Sequence, residues 1–313
     1  MHYLPQCYLK GFAMAPSKKS QLHVFDMKTN RWFQTVARNV GARRDFNTVK
    51  LQNQPPDAVE SLISGFETKF DAILTTMRQT FCMPTGADFE NLMAMVAMMA
   101  IRNPLVRQNH NKFQTQVLRR IMDLEFASKE RYEATVQRMK EDGISFSGPD
   151  IAFEDLKKFH QDGEYSITIE NTINVISEMK TVPTVAALLT KRKWTLIITG
   201  KTAGHFICCD HPVSLTWNDG KLQGGFHPPG YALPSTDVVF PVTKEMALIG
   251  TFEGEDRVIT ANADSVALLN SRIIENCDWQ IYSPRAEFTF LTADRNICHS
   301  EQLKDFLKRS PES

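Results

Sequence analysis

The apolar residues of this chain change their period once, and that change limits the fold more than any other feature of the sequence. From about residue 57 to 190 they recur every three or four positions, the spacing of a helix face. From Trp194 to about residue 298 they come in short runs broken by Gly, Pro, Asn and Asp, the spacing of strands. A second β-like stretch stands at the other end. Residues 21–27 and 31–37 flank a Lys28-Thr29-Asn30 turn and read as a hairpin. This order predicts an α+β fold in one domain over 1–313. A helical middle would pack on an antiparallel sheet formed from the N-terminal hairpin and the C-terminal strands.

Within the helical stretch, Pro55-Pro56-Asp57 is a start signal, and Ile63, Phe70 and Leu74 belong to the apolar stripe that follows. Glu60, Glu67 and Asp71 share the opposite face, because spacings of seven and four return to the same side. Residues 88–101 are apolar nearly all round and predict a central buried helix whose methionines fill the core. Arg102 follows directly, and a guanidinium at the end of a buried helix needs a partner. Residues 105–140 read as one continuous helix and Ser147-Gly148-Pro149-Asp150 as a break. Residues 151–159, 167–189 and 262–275 read as further helices, with a boundary or kink at Pro183. Lys191-Arg192-Lys193 reads as a solvated helix end.

In the β-like stretch, residues 206–210 predict a short strand buried on both faces, with Pro212 ending it and Asp210 and His211 left at its end. Residues 194–199, 213–217, 238–242, 247–251 and 288–291 read as the other strands, and 224–230 as an irregular loop carrying His227. Gly200-Lys201-Thr202 lacks the earlier glycine of a phosphate loop and reads as a turn.

Composition excludes several classes. Lys plus Arg and Asp plus Glu are 36 each, so formal net charge is zero. That argues against a broad duplex-binding face while leaving room for a phosphate pocket. The six cysteines form no C-x-x-C pair and read as free thiols of a reducing cytoplasm. No apolar run approaches the ~20 residues of a membrane span, and no signal peptide is visible, so the expected location is cytoplasmic. No G-x-S-x-G, dinucleotide fingerprint or internal repeat occurs.

The opening His2-Tyr3-x-Pro5-Gln6-x-Tyr8-Leu9-x-Gly11-Phe12-Ala13 resembles that of an uncharacterised, mostly bacterial family, a domain of unknown function. The resemblance continues through Leu22-His23-Val24-Phe25-Asp26, Asp45-Phe46, Glu60 with Glu67, Arg102, the strand Phe206-Ile207-Cys208-Cys209-Asp210-His211-Pro212-Val213, and Phe240-Pro241-Val242. Cys209 departs from the pattern, standing where the family usually has serine. The resemblance implies that His2, Glu60, Glu67, Arg102 and Asp210 belong to one site.

Two function classes follow as expectations. The first is a hydrolase of phosphoesters, or a nuclease of a bacterial defence or toxin system. There His2, Glu60, Glu67 and Asp210 would be catalytic, with or without a divalent metal, and Arg102, Gln6 and His211 would bind substrate, a nucleic acid or nucleotide. The second is a non-catalytic sensor or interaction protein, with a protein partner or a second copy, in which the same groups form a structural buried polar network.

Overall fold

The computed structural model describes residues 1–17, 19–50, 55, 57–144, 151–220, 227–292 and 294–304. The expected break at Ser147-Gly148-Pro149-Asp150, Pro56 of the helix start, and Gly224, Gly225 and Phe226 of the expected loop lie outside these residues.

Residues 1–4 run beside residues 41–43. Tyr3 and Leu4 N–H groups both donate to Gly41 O at 2.9 and 3.2 Å, and Arg43 N–H donates to Met1 O at 2.9 Å. Gly41 has φ +63°, and a Cβ there would sit 3.0 Å from Leu4 Cβ and from Leu9 Cδ1. Only glycine accepts both the conformation and the close approach. Helix α1 (Gln6–Leu9) follows and runs into a 3-10 turn (Lys10–Phe12). Strands β1 (Gln21–Asp26) and β2 (Arg31–Val36) form the expected hairpin, in register from Gln21 opposite Val36 to Asp26 opposite Arg31. Asp26 Oδ1 accepts the Thr29 N–H at 2.8 Å, and Asn30 takes the left-handed conformation that closes the turn.

The helical middle contains α2 (Ala58–Thr80), α3 (Gly86–Ile101), α4 (Pro104–Glu125), α5 (Lys129–Glu141), α6 (Phe153–Asp162) and α7 (Asn171–Leu189). Helix α3 is the buried centre, with Met93, Met95, Met98 and Met99 all in the core. The single helix expected over 105–140 is two. It breaks at Phe126, which packs on Tyr132 and Phe153, and restarts where the Ser128 hydroxyl accepts the Arg131 N–H at 3.3 Å. Helix α7 runs through Pro183 without ending there.

Strands β3 (Lys193–Thr199), β4 (Cys208–Cys209), β5 (Ser214–Trp217), β6 (Thr236–Thr243), β7 (Met246–Thr251), β8 (Arg257–Ala261), β9 (Gln280–Ser283), β10 (Thr289–Leu291) and β11 (Ile297–His299), with helix α8 (Ala263–Glu275), complete the order. They form more than one sheet. The first, ordered β2-β1-β9-β4, joins the N-terminal hairpin to C-terminal strands through antiparallel pairs. The second, β5-β6-β7-β3-β8, is antiparallel except for the parallel pair of β3 and β8. A ribbon of β10 and β11 stands apart from both.

The strand expected over 206–210 is shorter than its apolar run. Phe206 and Ile207 are buried, yet their N–H groups donate to Lys244 O and to Asn270 Oδ1, so the ladder covers only Cys208 and Cys209. Arg192 is not a solvated helix end. It is 3 % exposed, donates to the Thr236, Gly250 and Tyr231 carbonyls, and lies 4.3 Å over the Phe252 ring. All six cysteines are free. Among the described residues no helix is long and apolar enough to cross a membrane.

Candidate functional site

The N-terminal segment is held by Tyr8. Its hydroxyl donates to Pro241 O on β6 at 2.8 Å, and its ring stacks on Phe240 at 5.3 Å. This anchor places His2 beside the start of α2. The imidazole is half-buried, and its Nδ1 is sealed from solvent without a hydrogen-bond partner. Burial lowers the His2 pKa, and the Glu60 carboxylate pulls it the other way.

Asn47 is the connector at this point. It is 1 % exposed. Its Nδ2 donates to Glu60 Oε2 at 2.6 Å and to His2 O at 3.4 Å, while its Oδ1 accepts from Arg102 Nη2. Glu67, one turn pair along α2, is half-buried. Burial first, and then the Glu60 charge, raise its pKa; Arg102 opposes both. Arg102 is 2 % exposed at the end of α3. Burial lowers its pKa, and Glu178 on α7 is the chief group opposing the shift, with its Oε2 3.8 Å from Arg102 Nε. Glu178 is also gripped by Arg107 of α4, whose Nε and Nη2 donate to its two oxygens at 2.6 and 2.7 Å. Arg107 Nη1 reaches Phe46 O and Asn171 Oδ1, both at 2.8 Å, and the guanidinium lies 3.6 Å over the Phe46 ring.

His2, Glu60 and Arg102 are therefore tied through Asn47, and the charges of Glu60 and Arg102 act on Glu67 beside them. Gln6 is exposed on α1. Asp210 is a separate node. It is 3 % exposed, and its Oδ1 accepts the backbone N–H groups of Asp278, Trp279 and Gln280 at 3.3, 3.0 and 3.2 Å, besides the Cys277 thiol at 3.2 Å. Among the described residues no hydrogen bond or ion pair joins Asp210 to His2, Glu60 or Glu67. Its field reaches the first region through Tyr3. Burial, and after it the Asp210 charge, push the Tyr3 phenol pKa up. His211 turns toward the Ala100 carbonyl near the end of α3; burial lowers its pKa, against Asp210, and its Nδ1 has no partner.

Sequence reasoning missed Asn47, Arg107 and Glu178. For Glu178 a signal existed. It stands three residues after Val175 and four before Val182, both buried, so a carboxylate on that apolar stripe calls for a cation. Also missed was the line of Asp123, His160 and Tyr165 between α4 and the end of α6. His160 Nε2 lies 2.8 Å from Asp123 Oδ1, and Nδ1 lies 2.6 Å from Tyr165 Oη.

A cleft of about 790 Å³ lies apart from the His2 region and shares no lining residue with it. It is bordered by Lys201, His205, Lys244, Glu245, Arg285 and Glu287, among others. Burial first, and then the positive charge of Arg285 and Lys244, hold the His205 pKa down at about 4. The cleft and the buried polar network do not coincide.

Fold and site together define an α+β protein with a buried polar network that joins its N-terminal segment to its helical middle. The chain belongs to the family described as Protein of unknown function (DUF4238), whose model matches residues 1–287. No curated protein and no solved structure matches it.

Proposed function

We propose that the chain is a sensor or interaction protein whose buried polar centre fixes the fold, and that it takes a small anion of the phosphate or nucleotide class in the cleft beside His205. The observation that carries this reading is that the deepest charges answer one another. Arg107 and Glu178 are paired through two hydrogen bonds that take both carboxylate oxygens. A carboxylate so occupied has little left for substrate or metal. In the cleft, Lys201, Lys244 and Arg285 outnumber Glu245 and Glu287, and the lowered pKa of His205 fits a positive local field.

A second reading, hydrolysis of a phosphoester by His2, Glu60 and Glu67, is favoured by one observation: the unpartnered Nδ1 of His2 beside Glu60. Burial lowers the pKa of the His2 imidazole and raises that of the Glu67 carboxyl, and an imidazole with a carboxyl are groups that serve acid–base chemistry. A nuclease of a bacterial defence or toxin system is the narrower form of it, and the zero net charge counts against a long nucleic-acid substrate.

One pair of assays separates them. Inorganic phosphate and ATP are expected to raise the melting temperature of the wild type and not of Lys201→Glu with Arg285→Glu. Bis-p-nitrophenyl phosphate, RNA and DNA with Mg²⁺ or Mn²⁺ are expected to stay uncleaved. Cleavage lost in Glu60→Gln at unchanged melting temperature would establish the hydrolase instead.

A further inference from the structure

Cys209 Sγ, Cys277 Sγ and a carboxylate oxygen of Asp210 all lie within 4.8 Å of one another. They come from two segments. Cys209 ends β4 with Asp210 next to it, and Cys277 stands in the turn after α8. Three backbone amides fix the Asp210 carboxylate in place. The Cys277 thiol donates to Asp210 Oδ1 at 3.2 Å, and the Cys209 thiol to the His211 carbonyl at 3.1 Å.

We propose that Cys209, Asp210 and Cys277 bind a soft divalent cation, zinc or a metal of similar preference, through two thiolates and one carboxylate. The site does not depend on the sensing reading above.

Geometry supports this first. Zinc–sulfur bonds of about 2.3 Å and zinc–oxygen bonds of about 2.1 Å in a tetrahedron place donor atoms roughly 3.5–3.8 Å apart. Donors already within 4.8 Å reach that spacing by small rotations of side chains whose backbones stay put. The three ligands leave a fourth position for water.

Charge supports it second. The cluster is made only of acids. The Cys277 thiol donates to Asp210 and the Cys209 thiol to the His211 carbonyl, with no lysine or arginine among these partners. Such a set has no counter-charge for its ionised form. A divalent ion supplies it: two S–H bonds break, two metal–sulfur bonds form, and two protons leave to solvent, with no change of oxidation state. Two thiolates select zinc, cadmium or cobalt over magnesium and calcium. Cys277 is only half-buried, which gives the ion a way in, whereas Cys209 is fully buried. The other four cysteines lie outside the cluster.

The test is a cobalt(II) titration of the whole chain after EDTA treatment and reduction with a phosphine. The expected result is thiolate-to-cobalt absorption in the near ultraviolet with visible bands of four-coordinate cobalt, saturating at one equivalent and displaced by zinc. Cys209→Ser and Cys277→Ser, each retaining a hydroxyl donor, should weaken cobalt binding by at least about tenfold. Cys82→Ser should leave it unchanged. Should either cluster variant fail to fold, the wild type alone decides. Zinc is expected to slow alkylation of Cys277 by iodoacetamide at least about tenfold, read by peptide mass spectrometry. Absent thiolate bands in the wild type, bands that persist in both cluster variants, or alkylation indifferent to zinc would each overturn the proposal.

Discussion

Arg107 holds Glu178 by both carboxylate oxygens, at 2.6 and 2.7 Å, and Arg102 stands on the far side of the same carboxylate at 3.8 Å. One buried anion thus answers two buried guanidinium groups carried by α3 and α4. Removing it strips Arg107 of its paired carboxylate and Arg102 of the carboxylate that acts on it most, with Glu60 and Glu67 left. Glu178→Gln should cost about 3–5 kcal/mol, the range for breaking a buried ion pair from one side. Urea unfolding followed by circular dichroism reads this; a loss below ~1 kcal/mol would mean that Asn47 and the backbone carbonyls already suffice.

Asp210 tests a different arrangement. Asp210→Asn keeps the shape and an acceptor for the amides of residues 278–280, whereas Asp210→Ala strands three donors. The alanine variant should be destabilised by about 1–3 kcal/mol more than the asparagine one. Equal melting temperatures for the two would show that those amides are satisfied some other way.

Gly250 on β7 faces the Trp194 ring, where a Cβ would come within 2.7 Å of Cη2. Trp194 is itself buried and tied by its indole N–H to Leu189 O at 3.0 Å, so it has little room to yield. Gly250→Ala should therefore destabilise by about 1–3 kcal/mol through overpacking. Thermal unfolding checks it, and an unchanged midpoint would show that the ring moves freely.

His205 sets a pH dependence. Folded, it stays neutral down to about pH 4, whereas in the unfolded chain it titrates near 6.5. Between those values the unfolded chain binds more protons, so stability is greatest above pH 6.5 and falls as the pH drops toward 4. The loss from this one group is at most about 1.4 kcal/mol per pH unit. His205→Gln removes it. The wild type should lose more stability between pH 7 and pH 5 than the variant does, compared by urea midpoints; parallel losses would assign the effect to other groups.

The helices and most strands were legible in the sequence because burial leaves a periodic trace. Helix α3 is buried on all sides and its run of methionines shows it; the hairpin of β1 and β2 shows in its alternation and its turn residues. Strand β8 was not legible, since four of its five residues are exposed and nothing alternates. Strand β9 was too short, with two apolar residues between polar ones. The same logic divides the site. Glu60 and Glu67 are visible as a spacing of seven on one helix. Three of the partners of Asp210 are backbone amides, which any sequence possesses, so those contacts leave no mark. Arg107 and Glu178 are separated by 71 residues, and the packing of α7 against α3, which leads into α4, brings them together. Arg192 was misread for a related reason, because its acceptors are main-chain carbonyls from the distant β-rich half.

Strand β1, within the first thirty residues, lies between β2 and β9, and β9 begins at Gln280. On the ribosome the hairpin consequently emerges with one edge bare, and that edge stays uncovered until Gln280 and the residues after it are made. Partly synthesised chains expose an apolar β-edge throughout this interval, and chains released early never close it. Assembly of this sheet is thereby tied to synthesis through β9, which makes the architecture sensitive to termination before that strand in a way that a domain closed by local contacts is not.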